Sequence, residues 1–172
     1  MKLLVGGAVL LPLVVARLLW RSRRDRDYRR RIGERFGWVA RLQAAGRPVI
    51  WLHAASVGEV IAATPLIDRL QKEYDQHQLV VTTMTATGAR QARKVLKGKG
   101  TQLMIPLDLP WFADRFLDSL KPEVAIIMET EIWPNLIHGC HTREIPLVFA
   151  NGRLSEKSLV SYRKFKETTE EV

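Results

Sequence analysis

Cysteine is nearly absent from this sequence. Cys140 is the one thiol among 172 residues, so no disulfide can form within the chain, which suits a reducing compartment. No G-x-G-x-x-G follows a strand pattern, and there is no G-x-x-x-x-G-K-[ST]. The standard dinucleotide and triphosphate cradles are thereby excluded. Internal repeats and low-complexity tracts are missing too. Acidic residues are in deficit: 18 Asp and Glu face 27 Lys and Arg, a net charge of +9. That balance points to nucleic acid, anionic lipid or acidic substrates as partners. The apolar share, 47%, is ordinary for a globular protein, and the length suffices for one domain with a real core.

Two clusters have the residue types of a metal site without its spacing. His138-Gly-Cys140-His141 is packed too closely for a usual zinc set, and a solvated helix face is the expectation. Asp25-Arg-Asp27 lies in a basic stretch and not after a strand, so local charge pairing accounts for it.

The amino terminus carries the one long apolar run, residues 3–20, broken by Arg17 and closed by Trp20. A spanning helix needs about 20 apolar residues. Trp20 is placed like an interfacial aromatic and Arg17 can snorkel. A cleaved signal peptide would need a small-x-small site after the run; here Arg-Leu-Leu-Trp-Arg follows. A buried core helix is the remaining rival. The expectation is an uncleaved membrane anchor over 1–20, its carboxyl side cytoplasmic by the positive-inside rule. A basic juxtamembrane segment, 21–47, contains Arg21, Arg23, Arg24, Arg26, Arg29, Arg30, Arg31 and Arg35. Attraction to an anionic membrane surface is the favoured reading of these arginines. Nucleic acid is not expected, because the run abuts an apolar segment and lacks interleaved aromatics.

From residue 48 to 172 strand and helix patterns alternate, which predicts an α/β, Rossmann-like domain with a parallel sheet. Strands are predicted near 49–53, 79–83, 102–107, 124–128 and 146–150. Helices are predicted after Glu59, over 89–97, from Pro110 with Asp108 as cap, from Pro134, and over 156–168 with Ser155 as cap. Polar groups recur after every strand: Ser56 and Glu59, Thr83 and Thr85, Asp108, Glu129 and Glu131, Asn151 and Arg153. In a parallel α/β sheet ligands bind beyond the carboxyl ends of the strands, so these residues outline a site.

Glu59 has two readings. A carboxylate at a strand end can act as a general base. Ser56-x-x-Glu59 is equally a capping box, in which Ser56 takes the Glu59 amide and Glu59 reaches back to the Ser56 amide. Glu129 could likewise do no more than complement a helix dipole, and of Glu129 and Glu131 only one need face the cleft. His53, next to the site, packs at a strand end or touches substrate.

The motifs together resemble a known family. They are His53-Ala-Ala-Ser-Val-Gly-Glu59, Thr82-Thr-Met-Thr-Ala-Thr-Gly88, Pro106-Leu-Asp-Leu-Pro110, Met128-Glu-Thr-Glu-Ile-Trp-Pro-Asn135 and Ala150-Asn-Gly-Arg-Leu-Ser155, with Gly-Glu-Arg-Phe-Gly ending at Gly37. In this the chain is similar to the 3-deoxy-D-manno-octulosonic acid (Kdo) transferases of lipopolysaccharide synthesis. The resemblance implies the N-terminal domain of a GT-B glycosyltransferase at the cytoplasmic face of the inner membrane. It implies inverting transfer of Kdo from CMP-Kdo to a lipid A precursor with no cofactor and no catalytic metal. By the same resemblance Glu59 is the proton acceptor, Glu129 stabilises the transition state, and Ser56, Gly58 and Arg153 contact substrate. The family's donor-binding domain and its lysine lie beyond Val172, and Phe165 to Val172 depart from the pattern. The expectation is an acceptor-binding half, a truncated form. A catalytically inactive, membrane-associated module that binds lipid or protein is the alternative.

Overall fold

The computed structural model describes residues 31–39, 46–129 and 131–152. The predicted anchor over 1–20, most of the basic segment, Arg153 and the predicted helix 156–168 lie outside the described residues. Among the described residues no helix is long and apolar enough to cross a membrane.

Five strands form one all-parallel sheet: β1 Val49–His53, β2 Gln78–Thr83, β3 Thr101–Met104, β4 Pro122–Met128 and β5 Leu147–Ala150. Their spatial order is β3-β2-β1-β4-β5. This is the doubly wound order, which reverses direction between β1 and β4. Helices α1 Val57–Glu73, α2 Ala86–Leu96, α3 Pro110–Leu120 and α4 Pro134–Thr142 connect the strands.

Strand β1 is buried at every position. A central parallel strand is covered on both faces, so it must be apolar throughout rather than alternating. Its side chains still part by face. Ile50 and Leu52 join Val60, Ile67, Ala92 and Val95 under α1 and α2. Val49 and Trp51 join Phe116, Leu117, Leu136 and Cys140 under α3 and α4, with the Trp51 and Phe116 rings meeting edge to face at 5.2 Å.

Three local readings need correction. Helix α2 begins at Ala86, three residues before the predicted start, because Thr85 caps it by accepting from the Gly88 amide at 3.0 Å. The predicted strand 102–107 stops pairing at Met104, since Pro106 has no N–H to continue a ladder. Asp108 does not cap α3, whose N-cap is Leu109 with no side-chain bond. Its carboxylate instead accepts from the amides of Asn135 and Leu136 at 3.2 and 3.0 Å, and so caps α4. Asn135 returns a bond to the Asp108 carbonyl at 2.8 Å. Pro134 at the first helical position removes a donor that would otherwise need a partner.

The segment Ile32–Phe36 forms a 3-10 turn against the outer edge of β3. Glu34 accepts from the Met104 amide at 2.5 Å, and the Arg35 carbonyl accepts from the Leu107 amide at 2.9 Å. Two arginines of the basic segment are spent here. Arg31 pairs with Glu34 at 2.8 Å; Arg35 is 4% exposed and donates to the carbonyls of Ile105 and Met84. Neither is available to a lipid surface. Gly37 closes the turn at φ 73°, where a Cβ would strike the Phe112 carbonyl oxygen at 2.4 Å.

The histidine–cysteine cluster lies on α4, as the spacing suggests. His138 and His141 are exposed, while Cys140 is buried against α3. Burial pushes the Cys140 thiol up to about 11, against a smaller opposing pull from Arg143. A Cβ at Gly139 would meet Leu117 Cδ1 at 2.6 Å, so the buried leucine side chain would have to shift. Among the described residues no group of three His, Cys, Asp or Glu could hold a metal ion.

Candidate active site

Because the sheet is parallel, the loops after β1 and β4 leave from the same edge, on either side of the switch point. The first loop is Ala54-Ala55-Ser56. It is tied to β2 by the Ala54 amide on the Thr82 carbonyl and by the Met84 amide on the Ala55 carbonyl, both at 3.0 Å. Helix α2 packs against it at Gly88, where a Cβ would crowd Thr85 Oγ1 at 3.0 Å and reach the Ala55 carbonyl oxygen at ordinary contact, 3.4 Å.

Ser56 is the N-cap of α1 and its hydroxyl accepts from the Glu59 amide at 3.3 Å. The return bond differs from the expected capping box. Glu59 Oε2 takes the Ala55 amide at 2.8 Å, one residue before the one predicted, while Ser56 Oγ donates to Oε1 at 2.8 Å. The carboxylate is therefore gripped through both oxygens and is 7% exposed. Each oxygen retains a second lone pair. Gly58 lies in the exposed first turn, where an added Cβ would meet only Ser56 Oγ at 3.9 Å. Packing does not demand glycine there, so Gly58 leaves open space over the helix start.

The second loop begins at Glu129, which is exposed and carries φ 60°. A bulky residue in that left-handed region costs about 1–2 kcal/mol, and the Glu129 amide is pinned to the Ala150 carbonyl at 2.7 Å. Glu129, Glu131, Ile132 and Trp133 line an open cleft of about 480 Å³ with Met84 from the β2 loop. Both glutamates thus face it, although the sequence pattern requires only one to do so. A larger hollow of about 630 Å³ lies at the opposite edge, lined by Arg47, Tyr74, His77 and Lys99. The amino ends of the strands are not where such sheets bind ligands.

His53, the last residue of β1, joins the second loop to the sheet. Its side chain is fully buried. Nδ1 lies 2.9 Å from Thr82 Oγ1, which also accepts from Trp51 Nε1 at 2.9 Å. With the Thr82 hydroxyl donating to Nδ1, its one acceptor among the described residues, the ring proton is assigned to Nε2. Nε2 faces Glu131 Oε2 across 3.6 Å, too long for a made hydrogen bond, and has no other partner among the described residues. Trp133 donates from Nε1 to the same Oε2 at 3.1 Å, and its ring meets His53 edge to face at 5.6 Å. Interaction with His53 holds the Glu131 carboxyl below its usual range; burial pushes the other way, and Trp133 adds to the lowering.

Sequence reasoning reaches Glu131 only as a polar strand-end residue and gives Thr82 and Trp133 no place in the site. The recurrence of Glu two residues after Glu129 is visible in the sequence, but the contact to His53 depends on β1 lying beside β4.

A 3-2-1-4-5 parallel sheet with helices between its strands defines a Rossmann-like α/β domain. Residues 30–172 match the family described as 3-deoxy-D-manno-octulosonic-acid transferase (kdotransferase). The chain is 41% identical over 155 residues to the 3-deoxy-D-manno-octulosonic acid transferase of Haemophilus influenzae, covering 90% of this chain and 36% of that protein. It is 32% identical over 158 residues to the protein of the same name from Rickettsia bellii, covering 92% and 37%. The chain belongs to this transferase family, and spans about a third of the length of these relatives.

Proposed function

We propose that this chain is the acceptor-binding, base-carrying part of a GT-B glycosyltransferase. The reaction is inverting transfer of Kdo from CMP-Kdo to a lipid A precursor, at the cytoplasmic face of the inner membrane. The observation that carries this reading is Glu59: a nearly buried carboxylate on the first turn of α1, at the carboxyl end of β1 and next to the strand where the sheet reverses. Family membership supports it.

In this mechanism Glu59 takes the proton of the acceptor hydroxyl through a free lone pair as that oxygen attacks the anomeric carbon. The bond to the CMP phosphate breaks, and CMP leaves with the electron pair. The Ala55 amide and Ser56 hydroxyl hold the base in position, and the helix N-terminus favours its charged form. Glu129, exposed in the cleft, faces the positive charge that builds on the sugar. Gly58 and Arg153 complete the substrate contacts. CMP-Kdo is held mainly by a second domain outside this chain, and no metal takes part.

One observation favours the rival, an inactive binding module: both oxygens of Glu59 already have partners, as a pure cap would. The experiment is a transfer assay with CMP-Kdo and a lipid A precursor, using residues 1–172 alone and a polypeptide that extends this domain by a donor-binding one. Transfer by the extended form is expected. Binding of precursor vesicles by both, with transfer by neither, would replace the transferase with the module. Deleting residues 1–20 is expected to weaken vesicle binding and leave a salt-sensitive remainder, because exposed charges are screened over about 8–10 Å at 0.1–0.15 M salt.

A further inference from the structure

We infer that His53, Thr82 and Trp133 position Glu131 as the residue that receives a hydroxyl of the acceptor's uncharged sugar ring in the cleft beside Glu129. The inference rests on the transferase reading and adds to it a residue outside the base and its partner.

Glu131 Oε2 is held on one side by the Trp133 indole N–H at 3.1 Å and faced on the other by His53 Nε2 at 3.6 Å. Oε1 accepts no hydrogen bond among the described residues, and the side chain is 34% exposed. One oxygen is thus held by Trp133 at the start of α4 and faced by His53 at the end of β1, and the other is left without a partner among the described residues beside the cleft. The chain Trp51 Nε1–H to Thr82 Oγ–H to His53 Nδ1 fixes the imidazole with its remaining proton toward the carboxylate. Among the described residues His53 Nε2 is fully buried without a hydrogen-bond partner, an uncommon state for a polar atom, and the group it faces, Glu131, lines the cleft. Catalytic and binding contacts are often long before the ligand arrives.

The lining also selects the ligand. An ionised carboxylate only accepts hydrogen bonds, so Glu129 and Glu131 call for donors. Anions are repelled at such close range. The donor's acid group and nucleotide phosphate are kept from Glu131 on that ground, while the positive charge building on its anomeric carbon is the part that Glu129 faces. A neutral ring with several hydroxyls fits, with Ile132 and the Trp133 ring offering an apolar wall to its C–H face.

The test uses the intact polypeptide that carries this domain, with acceptor KM, donor KM and kcat measured separately. Glu131→Gln is expected to raise acceptor KM by about 10- to 100-fold, the value of a hydrogen bond to a charged group. Donor KM should stay within about twofold, and kcat should change far less than acceptor KM. Trp133→Phe should raise acceptor KM less, and Thr82→Ser should rescue what Thr82→Val loses. An unchanged acceptor KM in folded Glu131→Gln, or a rise in donor KM instead, overturns the inference; if Thr82→Val does not fold, this arm decides alone. Glu59→Gln, run in parallel, separates the two claims, since its full turnover would overturn the transferase base and leave the Glu131 result standing. If the parent transfers nothing, calorimetry with the acceptor's sugar headgroup reads the same contrast: weaker binding by Glu131→Gln supports the inference, equal binding overturns it.

Discussion

The two loops that flank the switch point are built in opposite ways. In the β1–α1 loop the donors and acceptors that matter are already satisfied within the protein: Ser56 and Ala55 grip Glu59, and Thr82 and Met84 hold the backbone. In the β4–α4 loop they are not. Glu129 sits in a costly backbone conformation with its side chain exposed, and His53 points a buried proton at a carboxylate just out of reach. The first loop is a rigid mount for one carboxylate; the second has its contacts unfinished. An enzyme gains most from a group placed beforehand when that group must move a proton, whereas a group that recognises a substrate can finish its contacts on binding.

The largest expected effect falls on the finished side. Glu59→Gln keeps the size and one of the two acceptors, with its amide nitrogen able to donate to Ser56 Oγ in place of the other, so stability should change by under about 1 kcal/mol. Turnover by the intact polypeptide should fall by about 10²–10⁴ if the carboxylate is the base. Near-normal turnover by a folded variant would make the first loop structural and end the contrast.

Next in size is Asp108→Ala. Removing the cap of α4 should cost about 1–2 kcal/mol, read from urea unfolding. A variant as stable as the parent would mean that the second loop is held by contacts other than this cap. Glu129→Gly should act in the opposite direction. Glycine adopts φ 60° freely, so a gain of about 0.5–1 kcal/mol is expected once its greater unfolded-state freedom is subtracted. If that gain comes with lost turnover, the strained residue is kept for function; if stability falls, the backbone there is not strained.

The smallest effect is an acid titration. Glu131 has its folded-state pKa lowered, chiefly by His53. Its contribution to stability is therefore present above the unfolded carboxylate value near 4.5 and is lost as pH falls through the lower folded value. Thermal melts of parent and Glu131→Gln should converge in that acid window and stay apart at neutral pH. Parallel curves throughout would show that His53 and Glu131 do not interact in the fold.

Much of this contrast is legible in the amino-acid sequence, and the limits of that legibility are physical. Runs such as Val49–Leu52 and Val124–Met128 announce buried parallel strands because nothing else hides a backbone with apolar groups on both sides. Glu59 is legible since its partners are three and four residues away. The start of α2 is not, because Thr85-Ala-Thr-Gly88 has loop-like propensities that one capping bond outweighs. Local spacing assigns Asp108 to the nearest helix; its real partners lie 27 and 28 residues on, beyond any local signal. The pairing of His53 with Glu131 needs strand order, which alternation of elements leaves open.

The 3-10 turn on β3 has a consequence for the whole sheet. Glu34 and the Arg35 carbonyl occupy the outer rim of the β3 segment, the place where a foreign strand would attach. Strand β5 has no strand on its outer side among the described residues, and Val148 and Phe149 are about half exposed there. The sheet is polar in the sense of a growing polymer, blocked at one end and receptive at the other. Any neighbour that extends it, from the same polypeptide or a different one, joins beside β5. In a recombinant piece cut just after Gly152, that receptive end would be the edge open to a second copy.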